Sequence, residues 1–427
     1  MMIANNFSPI SFAVFGGMLA AAGLPIYIFA PTFYAENYGV GLTSIAAVLF
    51  WLRLVDAIQD PMFGWISENM GHKRWFWVAL AVIILIGSMS MLFAVPPQTS
   101  PLLWFVVSMT CLFSAFSFLT INFYAQGITS VGDLNDGHMR LAAWRETGAL
   151  IGICLASVAP GLLMIWSSQP MLLFVLGFGC LGLISLWMMK NQWVAAIERK
   201  PSNFLLVWQD RDTRLLLILA FVNALPVAVT SSLFLFFVSH RLQAPSWAGA
   251  LLMLFFISAS AAAPIWTMAA RRFGTRRCLF LAMSLAMVIF ALSGFLGAGD
   301  LWIFTFVCLV SGAAISADLT LMPAAFAQRL AIIAPNGGQG FGLWSLMNKL
   351  TLALAAIILF PLLEFSGFDA TANEQAKQSL IMLTILYAIC PLFLKLVAIL
   401  ILIKTPLPVS YTHLRAHETL RYLVCRL

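Results

Sequence analysis

One stretch of the chain concentrates residues that could do chemistry. LFWLRLVDAIQDPMFGWISE, residues 49–68, is apolar over most of its length, yet carries Arg53, Asp56 and Asp60. Their i, i+3, i+7 spacing sets them on one face of a helix. One turn, about 6 Å of rise, separates the two carboxyls. An ionised side chain at the centre of a lipid bilayer costs at least ~2.5–3.5 kcal/mol. Two acids on one face also repel each other, so they need positive charge nearby. Arg53, a lysine from another helix, a bound cation or a proton would each supply it. Oxygen ligands suit hard cations such as Na⁺. A group uncomfortable when empty and neutral when filled is what a coupling-ion site requires. The competing assignment is a permanent ion pair that holds helices together.

Other charges stand alone in apolar surroundings. Lys349 lies in SLMNKLTLALA, a natural counter-charge for the aspartates, and Arg145 lies in RLAAWRETGALIG. Arg145 presents a planar fork suited to hydroxyls or a carboxylate. Its alternative is an ion pair with Glu146 or another acid, although adjacent helix residues do not face each other. Asp318 in SGAAISADLTLMP is a polar helix-packing residue or part of a site. Lys395, one turn after Pro391, snorkels or fills the gap left by the proline.

The surroundings of these charges follow from composition. Of 427 residues, 62% are hydrophobic and 9% charged, against roughly a quarter charged in soluble proteins. Such a chain needs lipid as its solvent. Apolar runs at 11–32, 42–66, 76–95, 101–130, 141–166, 170–190, 213–239, 244–270, 278–298, 301–328, 341–364 and 379–404 are each long enough to cross a bilayer of ~30 Å. Helices satisfy their own backbone in lipid, so the expected fold class is an all-α membrane protein with twelve transmembrane helices.

The net charge of +7 is no nucleic-acid signal. Lys and Arg gather in the short loops of one side, with Arg241 and Lys377 on the other, which predicts both termini in the cytoplasm. The opening residues carry no basic group or small-residue cleavage site, so no cleaved leader is expected. The seven cysteines lack C-x-x-C spacing and read as small apolar residues. Residues 409–427 break the apolar pattern. Val409 to Thr419 resembles the translation of a sequencing-library adapter, and the tail is set aside from fold reasoning. The competing assignment is a true cytoplasmic tail.

The polar stretch 191–212 reads as a cytoplasmic linker between six-helix halves, 1–190 and 213–408. The loops GWISENMGHKR (Gly64 to Arg74) and TMAARRFGTRR (Thr267 to Arg277) stand at matched places in the two halves. Arg145 with Lys349, and Ser117 with Asp318, keep nearly the same offset. A parallel repeat of this size is expected of major-facilitator transporters. Both loops resemble that superfamily's G-x-x-x-D-R-x-G-R-R signature. Gly64, Glu68, Gly71 and Lys73 fit the first copy, with Asn69 departing. Arg272, Gly274 and Arg276 fit the second, where Arg271 replaces the acid. A glycine turn and charges tying helix ends would be their role.

RLVDAIQDPMFGW, with Asp56-x-x-x-Asp60-Pro61, is similar to the cation-site helix of the glycoside–pentoside–hexuronide:cation symporters, the melibiose permease type. The resemblance runs through most of residues 10–400. It implies that Asp56 and Asp60 bind Na⁺, H⁺ or Li⁺, joined by a span-four hydroxyl at Ser117 and a span-eleven lysine at Lys349. It also implies Arg145 and Tyr124, in INFYAQG, as substrate contacts. Tyr27 and Trp344 are added as candidate contacts, although the tryptophans Trp51, Trp144 and Trp344 also suit packing and interface anchoring. Melibiose-type members use further acids on spans one and four. Those places, near Ala20 and at Thr120, carry none, which leaves a galactoside cargo open.

Gly177, Gly179 and Gly182 form G-x-G-x-x-G without a preceding strand and signal close helix packing, as do Gly148, Gly152 and Ala156. With no P-loop, no H-E-x-x-H and loops too short for a catalytic domain, enzyme chemistry and ATP-driven transport have no support. The expectation is a monomeric, cofactor-free secondary transporter in a bacterial inner membrane. It imports a carbohydrate, sugar acid or related solute with Na⁺ or H⁺. A proton-coupled exporter of drugs or lipids is the rival.

Overall fold

A computed structural model describes residues 8–24, 30–131, 137–193, 204–368 and 375–407. Tyr27 and the tail 409–427 lie outside them, as does most of 191–203 in the linker. The described residues form helices and turns and no strand. In order they are α1 (Pro9–Leu24), α2 (Ala30–Tyr38), α3 (Leu42–Asn69), α4 (Arg74–Phe93), α5 (Pro101–Val131), α6 (Gly137–Trp166), α7 (Pro170–Met189), α8 (Phe204–Gln209), α9 (Arg211–Phe236), α10 (Ala248–Phe273), α11 (Thr275–Ala291), α12 (Leu301–Ile333), α13 (Gly338–Phe365), α14 (Lys377–Thr384) and α15 (Cys390–Lys404).

Among the described residues, 10 helical segments are long and apolar enough to cross a membrane. The last joins α14 to α15 through a π turn at Ile385–Ile389. That wide turn precedes Pro391, which has no N–H to continue the helical ladder. Two further helices complete the expected twelve. α1 is apolar but short. α3, 28 residues long, is set apart by Arg53, Asp56, Asp60 and Glu68. Its faces invert the soluble pattern: Trp51, Val55, Ile58, Met62 and Trp65 are exposed, while Asp56, Asp60 and Ser67 are buried. Exposed apolar residues suit lipid, and the polar face turns to neighbouring helices.

Helix ends follow local chemistry. Pro101 and Pro170 open α5 and α7, where a missing N–H costs nothing. Asp210 caps α9 by accepting from the Thr213 backbone N at 2.9 Å. The turns after α3 and α10 place Gly71 at φ +52° and Gly274 at φ +89°, a region that L side chains avoid.

Glycines decide which helices come closest. On α6, a Cβ at Gly148 or Gly152 would lie 2.0 Å from the Ala13 carbonyl oxygen or 2.1 Å from that of Gly17, so α1 and α6 touch backbone to backbone. Gly182 of α7 similarly accommodates Ile86 of α4. α3 crosses α13 at Gly64, where a Cβ would stand 2.6 Å from the Gly338 oxygen. At Gly342 it would stand 2.9 Å from the Asp60 oxygen. Gly64 therefore lies inside a helix at a crossing, rather than in the loop expected of it, because α3 continues to Asn69.

One apolar core draws only on residues between Phe12 and Trp193. A second, from Ile128 to Leu407, joins α5 and α6 to later helices. A third lies between Ala228 and Tyr387. The bundle end that carries the Gly71 and Gly274 turns is tied across by Glu68 Oε1, which accepts from the Gln339 backbone N at 2.9 Å. Tyr124 meets Phe341 at the same end, ring centroids 5.1 Å apart.

Candidate functional site

α3, α5 and α13 bring Asp56, Asp60, Ser117 and Lys349 together. Lys349 Nζ lies 2.7 Å from Asp56 Oδ2 and 2.8 Å from Asp60 Oδ1. It also donates to Ser117 Oγ at 3.1 Å. Ser117 in turn donates to Asp60 Oδ1. Asp60 is fully buried, with its second oxygen, Oδ2, unpartnered. Gln59 donates to Asp56 Oδ1 at 3.2 Å and accepts from Ser114 at 3.1 Å. The close approach of Gly342 to the Asp60 and Pro61 backbone sets Asp60 against α13.

The cluster therefore has two carboxyls for one ammonium. In the ionised state it is one positive charge short, and a buried carboxylate oxygen lacks a partner. Its surroundings are oxygen-rich, which suits a monovalent hard cation or a proton. Arg53 is half-buried one turn before Asp56. The ammonium between the carboxyls is that of Lys349.

A second group joins α5 and α6. Arg145 Nε lies 3.0 Å from Glu146 Oε1, and the guanidinium carbon sits 3.7 Å above the centre of the Tyr124 ring. Tyr124 donates its hydroxyl to the same Glu146 oxygen at 3.1 Å. Although Arg145 and Glu146 are adjacent, Nε reaches back along the long side chain to make the pair. Arg145 Nη2 is buried and unpartnered. Among the described residues, Trp344 joins this group through rings: Trp344 to Phe326 at 4.8 Å, Phe326 to Phe341 at 5.5 Å, and Phe341 to Tyr124.

Asp318 lies elsewhere, inside the later helices. Lys395 Nζ is 2.5 Å from Asp318 Oδ2 and 2.7 Å from Asn223 Oδ1. Lys395 is thus a buried partner and does not snorkel. It also lines a cavity of about 100 Å³ with Pro226, Thr230, Phe255, Ser311 and Pro391.

The loop residues divide. Lys73 and Arg272 are exposed, with Arg272 lying 5.4 Å from the Phe273 ring centre. Arg276 donates to the Thr405 carbonyl. Sequence reasoning passed over Arg74, which is buried and donates to Gln126 Oε1 and the Ser67 carbonyl, each at 2.9 Å. It also passed over Gln59, Ser114 and Asn223. For Gln59, Ser114 and Asn223 the available signal was a polar side chain within an apolar run, whereas Arg74 closes a basic loop and nothing local marks it as buried.

Comparison with known proteins agrees with this architecture. The model of a family described as MFS/sugar transport protein matches residues 9–409. No curated protein matches. A solved structure titled as a bacterial homologue of the iron transporter ferroportin, in an outward-facing state, superposes with a TM-score of 0.69 at 15% identity, covering 93% of this chain and 99% of that one. A second, the outward-facing homologue with soaked iron, gives 0.68 at 14% identity over the same shares. At such identity the likeness is one of fold. The match over nearly the whole chain places this protein in the MFS/sugar transport family: it is an integral multi-pass membrane transporter of a small-molecule substrate, and not an enzyme.

Proposed function

We propose that the protein is a cation-coupled secondary transporter that imports a sugar, glycoside or related small polar solute by alternating access. One observation carries this: two buried carboxyls, Asp56 and Asp60, share a single ammonium, with Asp60 Oδ2 left over. Lys349 acts there as a tethered cation. Na⁺ or H⁺ entering the cluster supplies the missing charge and releases Lys349 from at least one carboxylate. Because Gly342 rests on the Asp60 backbone, that change is felt where α3 crosses α13. Substrate binds beside Arg145, Tyr124 and Trp344, and its affinity rises with cation binding. By linkage the cation's affinity rises equally with substrate. The turns at Gly71 and Gly274 face the cytoplasm of a bacterium, so the end tied by Glu68 and Gln339 is the inner one.

The test is uptake into vesicles of a panel of glycosides and sugar acids, with and without a Na⁺ or H⁺ gradient. Wild type should accumulate at least one of them against its gradient. Asp60→Asn should lose about a hundredfold or more of the gradient-driven component, as expected when a charged ligand is removed from a buried site. Coupling through this cluster is wrong if Asp60→Asn accumulates substrate as wild type does.

A further inference from the structure

We propose that Glu146 fixes the charge of the cargo: the site around Arg145 takes an uncharged polyhydroxylated solute and rejects its carboxylate analogue. This rests on the carbohydrate reading above and narrows it.

A lone buried guanidinium is a fork for carboxylates. Arg145 is not alone. Its Nε is already on Glu146 Oε1, and the Tyr124 hydroxyl reinforces that oxygen. Both charges are buried, Arg145 at 5% and Glu146 at 8% exposure, so little water screens one from the other. The pair sums to zero. An incoming carboxylate would meet a cation that is already neutralised, beside an acid of its own sign.

What the pair leaves unfilled is a hydrogen bond, not a charge. Arg145 Nη2 is a buried donor without a protein partner. A hydroxyl oxygen completes it and brings no charge to desolvate. The guanidinium is held from two sides, over the Tyr124 ring and by Glu146 at Nε, which restricts where that donor can point. Below it, the rings of Tyr124, Phe341, Phe326 and Trp344 succeed one another at 5.1, 5.5 and 4.8 Å. Phe326 and Phe341 are buried in the core, so these rings form an apolar wall that backs the pair.

The experiment measures binding to purified protein by calorimetry or tryptophan fluorescence. The ligands are matched pairs differing only at C6, such as methyl glucoside with methyl glucuronide and methyl galactoside with methyl galacturonide. Wild type should bind a neutral member about tenfold or more tighter than its uronide. In Glu146→Gln the guanidinium is freed, and the ratio should shift by about tenfold or more toward the uronide. Glu146→Asp keeps the charge and should keep the neutral preference, which guards against a Gln variant that fails to fold. A wild type that binds both members equally, or a Gln variant with an unchanged ratio, overturns the role of Glu146 and leaves carbohydrate transport standing. If no member of any pair binds, both fall.

Discussion

Two lysines of this protein sit among helices with carboxylates, and they are not doing the same thing. Lys349 serves two acids on α3 from α13, and its side chain keeps 20% of its exposure. Lys395 serves one acid, Asp318, with Asn223 as a neutral second acceptor, and its side chain keeps 8%. The Lys395 group balances: one ammonium, one carboxylate. The Lys349 group does not. Each group leaves one buried carboxylate oxygen unpartnered, Asp60 Oδ2 and Asp318 Oδ1, so the contrast is one of charge, and the unbalanced group is the one that a visiting cation would neutralise. On the proposed reading the difference separates a charge that braces a bundle from one that can be exchanged.

The largest effect should come from breaking the balanced pair. Lys395→Met leaves Asp318 buried without its cation and should cost about 3–5 kcal/mol. It would be read as a fall in thermal midpoint in detergent that Na⁺ does not repair. Adding Asp318→Asn should recover most of the loss, because the double variant buries no charge.

Next comes the unbalanced group. Lys349→Met should also destabilise, but here Na⁺ or acid should restore what the lysine supplied. At a Na⁺ concentration a hundredfold above its dissociation constant, the recovery would be about 2.7 kcal/mol. Thermal midpoints in NaCl against choline chloride decide this. Equal midpoints in the two salts would break the comparison.

The smallest effect belongs to a third pair, at the edge of the bundle. Arg329 grips Asp210 with two bonds, at 2.5 and 3.0 Å. That grip, with the Thr213 bonds, holds the Asp210 carboxyl down from 3.8 to about 2. A depressed carboxyl contributes stability above its unfolded value and loses it as pH falls through the folded one. Acid should therefore loosen this contact between about pH 4 and pH 2, and Asp210→Asn should flatten that slope in an acid titration of the thermal midpoint. Solvent screening keeps the amplitude small.

Much of this was legible in the sequence. Spacing alone put Asp56 and Asp60 on one face, and an unmatched lysine in an apolar run asks for an acid. Apolar run lengths predicted the helices, since in lipid the backbone has few alternatives. Pairing across long separations was not legible: Lys395 and Asp318 lie 77 residues apart, and a lysine near a proline has several outlets. Adjacent Arg145 and Glu146 left their pairing open for the opposite reason, because backbone spacing ignores how far an arginine can fold back. Gly64 read as a turn because its partner, Gly338, is supplied by a distant helix.

That last contact has a mechanical consequence. Where α3 meets α13, Gly64, Gly338 and Gly342 let peptide rest on peptide, and polar side chains latch the crossing, Glu68 to Gln339 and Lys349 to Asp56 and Asp60. Parting such a surface means undoing those latches, so it behaves as a latched bearing more than as glue. Asp60 lies on that bearing, so on the proposed reading whatever fills its site acts on the latch.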